Sequence, residues 1–325
     1  MNTTCELLKE YIGTKHAYRN RKWQVVCKWE TAEEFENKIG KPLIYATSDE
    51  FIEFFSTILR EDPDVSSVTL LAYISFYRNF FKWLIKERGF AIKNPLTGER
   101  FQLMSFPKTF DGIVEKMSLQ KFDELYYYEI ERSARINDRN RYLALIMNLY
   151  YYGAKDSMSI ANIKDEDVNP DDRSIICGGK KIKLPKYVFM ELERIHGMRY
   201  YVGDSGVVVP LENDEGYYIG LPTNKAGTWD KAKKAKQMNN YLTVFLNNFD
   251  KRLSITLIKR FGFVNYMREK YGERAREIVY SYCDVHASSY DSEALRKACD
   301  YWGYSDKRNG AIGYQIIDVC MKIDF

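Results

Sequence analysis

Residues 137–155 read NDRNRYLALIMNLYYYGAK, and residues 174–185 read SIICGGKKIKLP. The first stretch opens on Asn137-Asp138, a pair suited to starting a helix. It then sets Leu143, Ile146, Met147 and Tyr150 on one face at helical spacing before Gly153 stops it. A buried helix over 138–152 is predicted. The second stretch has two short runs, Ser174–Cys177 and Lys181–Leu184, on either side of Gly178-Gly179, with Pro185 at its end. Two glycines between short strands favour a tight hairpin. A helix followed by a small hairpin predicts an α+β domain rather than a pure bundle.

Working outward, a helix is expected after Pro185, and four more over 237–250, 254–271, 273–284 and 291–302. Residues 198–235 are rich in Gly, Tyr and Lys and show no usable period. Toward the N-terminus a helix is predicted over about 118–130. Before it, Leu70, Tyr73, Ile74, Tyr77, Phe81 and Leu84 form one apolar stripe, with Ser66, Ser67 and Thr69 at its start and Gly89 just past its end. A further helix starts at Ser48, where Ser48-Asp49-Glu50-Phe51 resembles a capping box, and runs through Phe51, Phe54, Phe55 and Ile58 to the turn at Asp62-Pro63-Asp64. The loop Asn94-Pro95-Leu96-Thr97-Gly98 and the segment to Lys108 read as a linker. The expected fold class is mostly α with a small β-sheet: residues 1–45 a basic and aromatic arm or cap, 46–105 an all-α domain, and 106–325 an α+β domain.

The 325 residues are long enough for two domains, each with its own core. Hydrophobic residues at 45% and charged residues at 29% exclude a disordered polyampholyte. No stretch approaches the ~20 apolar residues that a spanning helix needs. Residues 1–9 lack the apolar core of a secretory signal, so a cytoplasmic location is expected. Six cysteines include no CxxC pair, and the three histidines, His16, His196 and His286, lie far apart. That spacing offers no zinc site, so neither metal nor cofactor is expected, and the thiols read as reduced and mostly buried. Lys plus Arg at 49 against Asp plus Glu at 45 gives a net charge of 49 − 45 = +4. The charge is clustered: Lys15, Arg19, Arg21, Lys22 and Lys28 form one run, and Lys225, Lys231, Lys233, Lys234 and Lys236 another. Such runs fit either a phosphate-contacting surface or a solvated face.

The order of these segments resembles the tyrosine recombinase, or phage integrase, family over roughly 46–325. The stretch Val68–Tyr73 through Phe80–Leu84, followed by Asn94-Pro95-Leu96, is similar to the family's helical core-binding domain. Met117–Phe122 is similar to the opening helix of its catalytic domain. Asn137–Leu143 through Gly153-Ala154-Lys155 is similar to the helix that leads into the first catalytic arginine. Ile163–Val168, the glycine hairpin, and Leu295–Gly303 followed by Tyr314 continue the order. The resemblance implies a clamp of two domains around duplex DNA, and transfer of a DNA phosphoryl group to a tyrosine. That chemistry needs two guanidinium forks on the phosphate oxygens, and a lysine as acid to the leaving oxygen.

Set against that pattern, Lys155 stands where the first arginine belongs, and Met158 where an acid belongs. The hairpin lysine is Lys180 or Lys181. No histidine lies within Ile255–Arg260; Ile258 falls at the second arginine's place, with Lys259 or Arg260 available on a shifted register. Tyr304 takes the later histidine's place, and Tyr314 lies within one residue of the nucleophile's. The resemblance therefore implies a kept scaffold and lost strand transfer, with Lys155, Lys181 and Tyr314 as vestiges of the catalytic set. In length and in this degenerate pattern the chain resembles one temperate-phage repressor of recombinase fold, and a repressor role is implied by that resemblance only. An active but divergent recombinase using Tyr314 is the alternative. The DNA-facing candidates carried over are Ser66, Ser67, Thr69, Tyr73 and Arg78 in the helical domain. Around the former active site they are Lys155, Lys180, Lys181, Lys259 and Arg260, with Lys307 and Arg308 beyond. The implied partner is operator DNA in a bacterial host's nucleoid. A regulatory protein or peptide that relieves repression is a further expectation. So is self-association through the apolar tail of Ile312, Ile316, Ile317, Val319 and Met321, or docking of that tail on its own domain.

Overall fold

A computed structural model describes residues 4–14, 29–62, 65–203, 206–213, 216–224, 227–283, 292–304 and 315–325. The chain is mostly α, with three small sheets among the described residues. It divides into two compact units. The first comprises the described residues up to Lys116 and those within 282–286 and 320–322; the second comprises the remainder from Met117 onward.

The first unit contains α1 (Thr4–Thr14), α2 (Trp29–Ile39), α3 (Ser48–Glu61), α4 (Ser67–Lys86) and the short α5 (Phe106–Thr109). Its core is aromatic. Phe51, Phe54 and Tyr77 meet with ring centroids 5.4–6.1 Å apart, and Phe51 meets Phe81 edge-on at 5.5 Å. Tyr11 of α1 lies against Phe76, Phe80 and Trp83, and Phe35 of α2 against Phe54. The described parts of the first 45 residues are thus helices packed into this core. The cap on α3 sits one residue earlier than expected. Thr47 Oγ1 accepts from the Glu50 N–H at 3.3 Å, and the Glu50 carboxylate accepts from the Thr47 N–H at 2.6 Å. A capping box needs its hydroxyl three residues before the glutamate, a spacing that Thr47 has and Ser48 lacks. Ser66 caps α4 as its position predicts.

The second unit opens with β1 (Met117–Ser118), α6 (Leu119–Phe122), a π turn (Asp123–Tyr127) and α7 (Tyr128–Ser133). The predicted helix over 118–130 is therefore present but locally widened. Next comes α8 (Asp138–Tyr151), capped by Asn137. Leu143, Leu145, Ile146, Met147 and Leu149 are all buried, so α8 is apolar on nearly every side and forms the unit's central strut. After α9 (Ser157–Ala161), β2 (Val168–Asn169), β3 (Ser174–Cys177) and β4 (Lys180–Lys183) form an antiparallel sheet in which Ser174 pairs with Lys183 and Cys177 with Lys180. Gly178 and Gly179 have φ of 61° and 77°, the left-handed pair that a two-residue hairpin turn needs.

Beyond α10 (Lys186–Ile195), the unreadable segment holds a second antiparallel sheet, β5 (Tyr200–Val202), β6 (Val208–Glu212) and β7 (Leu221–Pro222). Its strands are too short for alternation to register, and Pro210 and Pro222 blur them further. The helices α11 (Lys231–Asn247), α12 (Ile255–Tyr271), α13 (Arg274–Tyr280) and α14 (Ser292–Trp302) follow the expected series. The basic run at Lys231–Lys236 forms the start of α11, which begins six residues before the helix predicted over 237–250. Asp230 caps that start, Lys231 Nζ lies 3.2 Å from the Tyr217 ring centroid, and Lys234 pairs with Glu212 at 2.8 Å. Finally α15 (Gln315–Lys322) leads into β8 (Ile323–Asp324), which pairs in parallel with β1, Met117 opposite Ile323. Of the apolar tail, Ile316, Ile317, Val319 and Met321 are buried within this chain, while Ile312 lies outside the described residues. No helix among the described residues is long and apolar enough to cross a membrane.

Candidate nucleic-acid interface

Three lysines from three separate elements converge in the second unit. Their meeting depends on how closely α8 and α12 approach. A Cβ added at Gly262 would lie 1.8 Å from the Tyr151 carbonyl oxygen, so only glycine fits there. This approach brings Lys259, one turn earlier on α12, to the chain just beyond α8, where its ammonium donates to the Lys155 carbonyl at 2.7 Å. The hairpin supplies the third. Lys180 Nζ donates to the Tyr301 carbonyl and sits 4.4 Å from the Tyr301 ring centroid and 5.7 Å from that of Trp302. A cation over aromatic faces is held without a carboxylate that would cancel its charge. The Lys259 ammonium likewise lies 5.9 Å from the Tyr304 ring.

The cluster is electrostatically frustrated. Burial, reinforced by the charges of Lys259 and Lys155, pushes the Lys180 ammonium down to about 8. Burial and the Lys155 charge also lower Lys259. One carboxylate is close. Burial alone would raise Asp156, but hydrogen bonds from the Ser159 N–H and hydroxyl, with the charges of Lys155 and Lys259, hold it below the usual range. Asp156 is occupied as the cap of α9. Cations gathered and partly desolvated in this way gain most from an incoming anion with several acceptor oxygens.

The other candidates are placed differently. Lys181 points to the opposite side of its strand and pairs with Asp172, so Lys180 is the hairpin lysine of the cluster. Arg260 corrects an expectation. The residue is only 6% exposed and its guanidinium pairs with the buried Asp318 at 2.8 Å, so it faces the core and not a duplex. Tyr304 is buried against Phe263, and burial raises its hydroxyl well above the ordinary phenol range. In the first unit Ser67 is 1% exposed, which removes it as a DNA contact. Ser66 and Thr69 share a hydrogen bond at 2.9 Å at the start of α4, and Tyr73 is half-buried along it. Arg78 donates to the carbonyls of Leu96 and Phe101 at 2.9 and 3.3 Å, which ties α4 to the following loop. Lys307, Arg308 and Tyr314 lie outside the described residues. Tyr301 and Trp302 are site residues that the motif comparison missed. Their one sequence cue is an aromatic pair directly before Gly303.

No family model and no curated protein matches the chain. Among solved structures it is similar to the Tn1549 transposon integrase in complex with transposon right end DNA, at 15% identity and a TM-score of 0.41, over 94% of this chain and 96% of that one. It is similar to XerA recombinase at 10% identity and a TM-score of 0.38, over 99% and 94%. It is also similar to the integrase from mycobacterium phage Brujita at 12% identity and a TM-score of 0.33, over 98% and 92%. Likenesses at these identities and TM-scores do not assign the chain to a family.

Proposed function

We propose that this chain is a sequence-specific duplex-DNA-binding protein on the tyrosine recombinase plan that no longer transfers strands. In this reading it acts as a transcriptional repressor that maintains lysogeny, of the kind represented by the master repressor of SPβ-type temperate phages. The carrying observation is the convergence of Lys155, Lys180 and Lys259 with no guanidinium among them. Three ammonium groups can hold a phosphodiester as point charges. They lack the planar forks that would grip two non-bridging oxygens as charge builds in the transition state. Among the described residues Arg260, next to Lys259 in the chain, is committed to Asp318. Binding without turnover is what this set supports. The ordered motifs quoted at the start extend the reading to a recombinase-like clamp, and the repressor role rests on that resemblance.

The test has two stages. Purified protein is first used to select genomic fragments. Any recovered site is then built as a nicked suicide substrate and assayed for a covalent adduct. A short recurrent motif near promoters, bound and left uncut, is the expected result. Uniform binding to all fragments would remove the sequence-specific reading. An adduct that disappears in Tyr314→Phe would show a working recombinase.

A further inference from the structure

Two cysteines that take no part in the lysine cluster meet within the first unit. Cys283 ends the short turn Ser281–Cys283 that follows α13, and Cys320 lies in α15. The Cys283 S–H donates to Cys320 Sγ, with the sulfurs 3.5 Å apart. Both residues are buried, Cys283 at 3% exposure and Cys320 at 0%. A disulfide bond is about 2.0 Å long, so the two sulfurs are about 1.5 Å from bonding distance. Small torsional changes in two side chains cover a gap of that size.

The contact joins parts of the chain 37 positions apart. Both cysteines belong to the first unit, whereas residues 287–319 between them belong to the second. A bond here closes the chain's last excursion into the second unit at its base. The ring so formed takes in α14 and the start of α15 and, by sequence, Lys307, Arg308 and Tyr314.

The surroundings set how readily the thiols react. The hydrogen bond from Cys283, and burial after it, hold the Cys320 thiol well above its ordinary range, while the charge of Lys116 pulls the other way. The thiolate is the reactive form, so the pair rests reduced and yields to a small oxidant slowly. Hydrogen peroxide is scarcely larger than water, which suits a buried pair better than a bulky disulfide does.

We propose that Cys283 and Cys320 are a peroxide-responsive dithiol whose oxidation to a disulfide fastens α15 in place. One thiol gives up its proton and its sulfur attacks a peroxide oxygen. The O–O bond breaks, a sulfenic acid forms, and the departing hydroxide takes up that proton as water. The second sulfur then attacks the sulfenic sulfur. The S–S bond forms as the S–O bond breaks, and the second thiol's proton leaves with the hydroxide as another water. Two thiols are oxidised and one peroxide is reduced to two waters. A crosslink over a long loop restricts the unfolded chain and so raises stability. The assignment does not depend on the DNA-binding reading.

The test treats the folded full chain with hydrogen peroxide, alkylates the remaining thiols in urea, and maps the peptides by mass without reductant. The expected product is a Cys283–Cys320 peptide pair lighter by two hydrogens, formed ahead of any other cysteine pairing and lost on adding dithiothreitol. The oxidised chain should melt higher by about 5 °C or more, and reduction should reverse the shift. Cys320→Ala should abolish both the crosslink and the shift. Both thiols still alkylated after peroxide, sulfinic acid formed without a crosslink, pairing with other cysteines, or a crosslinked chain that melts no higher than the reduced one overturns the assignment. If Cys320→Ala melts early, the peptide map and the reversible shift of the natural chain decide.

Discussion

At the scale of single residues, the lysine cluster sets a pH dependence with a definite sign. An anion is bound best while Lys180 is protonated. Because its ammonium titrates at about 8 in the free chain, affinity for duplex DNA should be level below that pH and fall as pH rises through it. Gel-shift titrations from pH 6.5 to 9.5 at constant salt check this, and Lys180→Met should flatten the profile. The same variant should keep or raise the melting temperature at neutral pH, since it removes a partly desolvated cation. Replacing Lys155 or Lys259 with alanine should weaken binding for every sequence and lower the salt slope by about 1 each. The places of Lys155 and Lys180 in the cluster were legible because each sits beside a glycine turn with a fixed place in the chain, whereas the sequence left Lys180 and Lys181 as alternatives and Lys181 faces away. Arg260 was not. Its carboxylate partner lies 58 positions away, and no local pattern reports a cation turned inward.

At the scale of elements, two contacts hold the framework of the site. Gly262→Ala would drive a methyl into the Tyr151 carbonyl, a backbone atom that cannot step aside. A loss of about 1–3 kcal/mol or more is expected in urea melts, with DNA affinity falling further as Lys259 leaves Lys155. Asp318 of α15 pairs with Arg260 of α12, and both residues belong to the second unit. Asp318→Ala should cost about 3–5 kcal/mol because a buried guanidinium loses its counter-charge, and pairing Arg260→Met with Asp318→Leu should recover most of it. Thr47→Ala, which breaks the α3 cap, should cost about 1 kcal/mol. Elements with strong local logic were legible: the α4 stripe, the Gly178-Gly179 hairpin and the helices after 236. The β5–β7 sheet was hidden because it is held by pairings between distant short strands and not by a repeating pattern.

At the scale of the whole molecule, the chain returns to the first unit near 282 and again at 320–322, after building most of the second. Removing the residues after Asp318 therefore takes Cys320–Lys322 from one unit and β8 from the other. Calorimetry on such a truncation should show both units melting earlier, whereas a tail that belonged to one unit would shift one transition alone. This division was only partly legible. The sequence placed the boundary near a proline-bearing linker, but nothing in a linear reading shows a chain coming back.

The pairing of β1 with β8 carries a consequence for biogenesis. Met117 is made early, and its partner Ile323 arrives only after every other strand and helix of the second unit has left the ribosome. Until then β1 offers an unpaired edge, and the pocket that α15 fills is lined by Arg260 without its counter-ion. A nascent chain stalled before residue 315 would be a client for chaperones, since it lacks β8 of the second unit and also Cys320–Lys322 of the first. Slow translation through the codons for residues 217–325 should lower the soluble yield more than the same delay placed over those for residues 1–108.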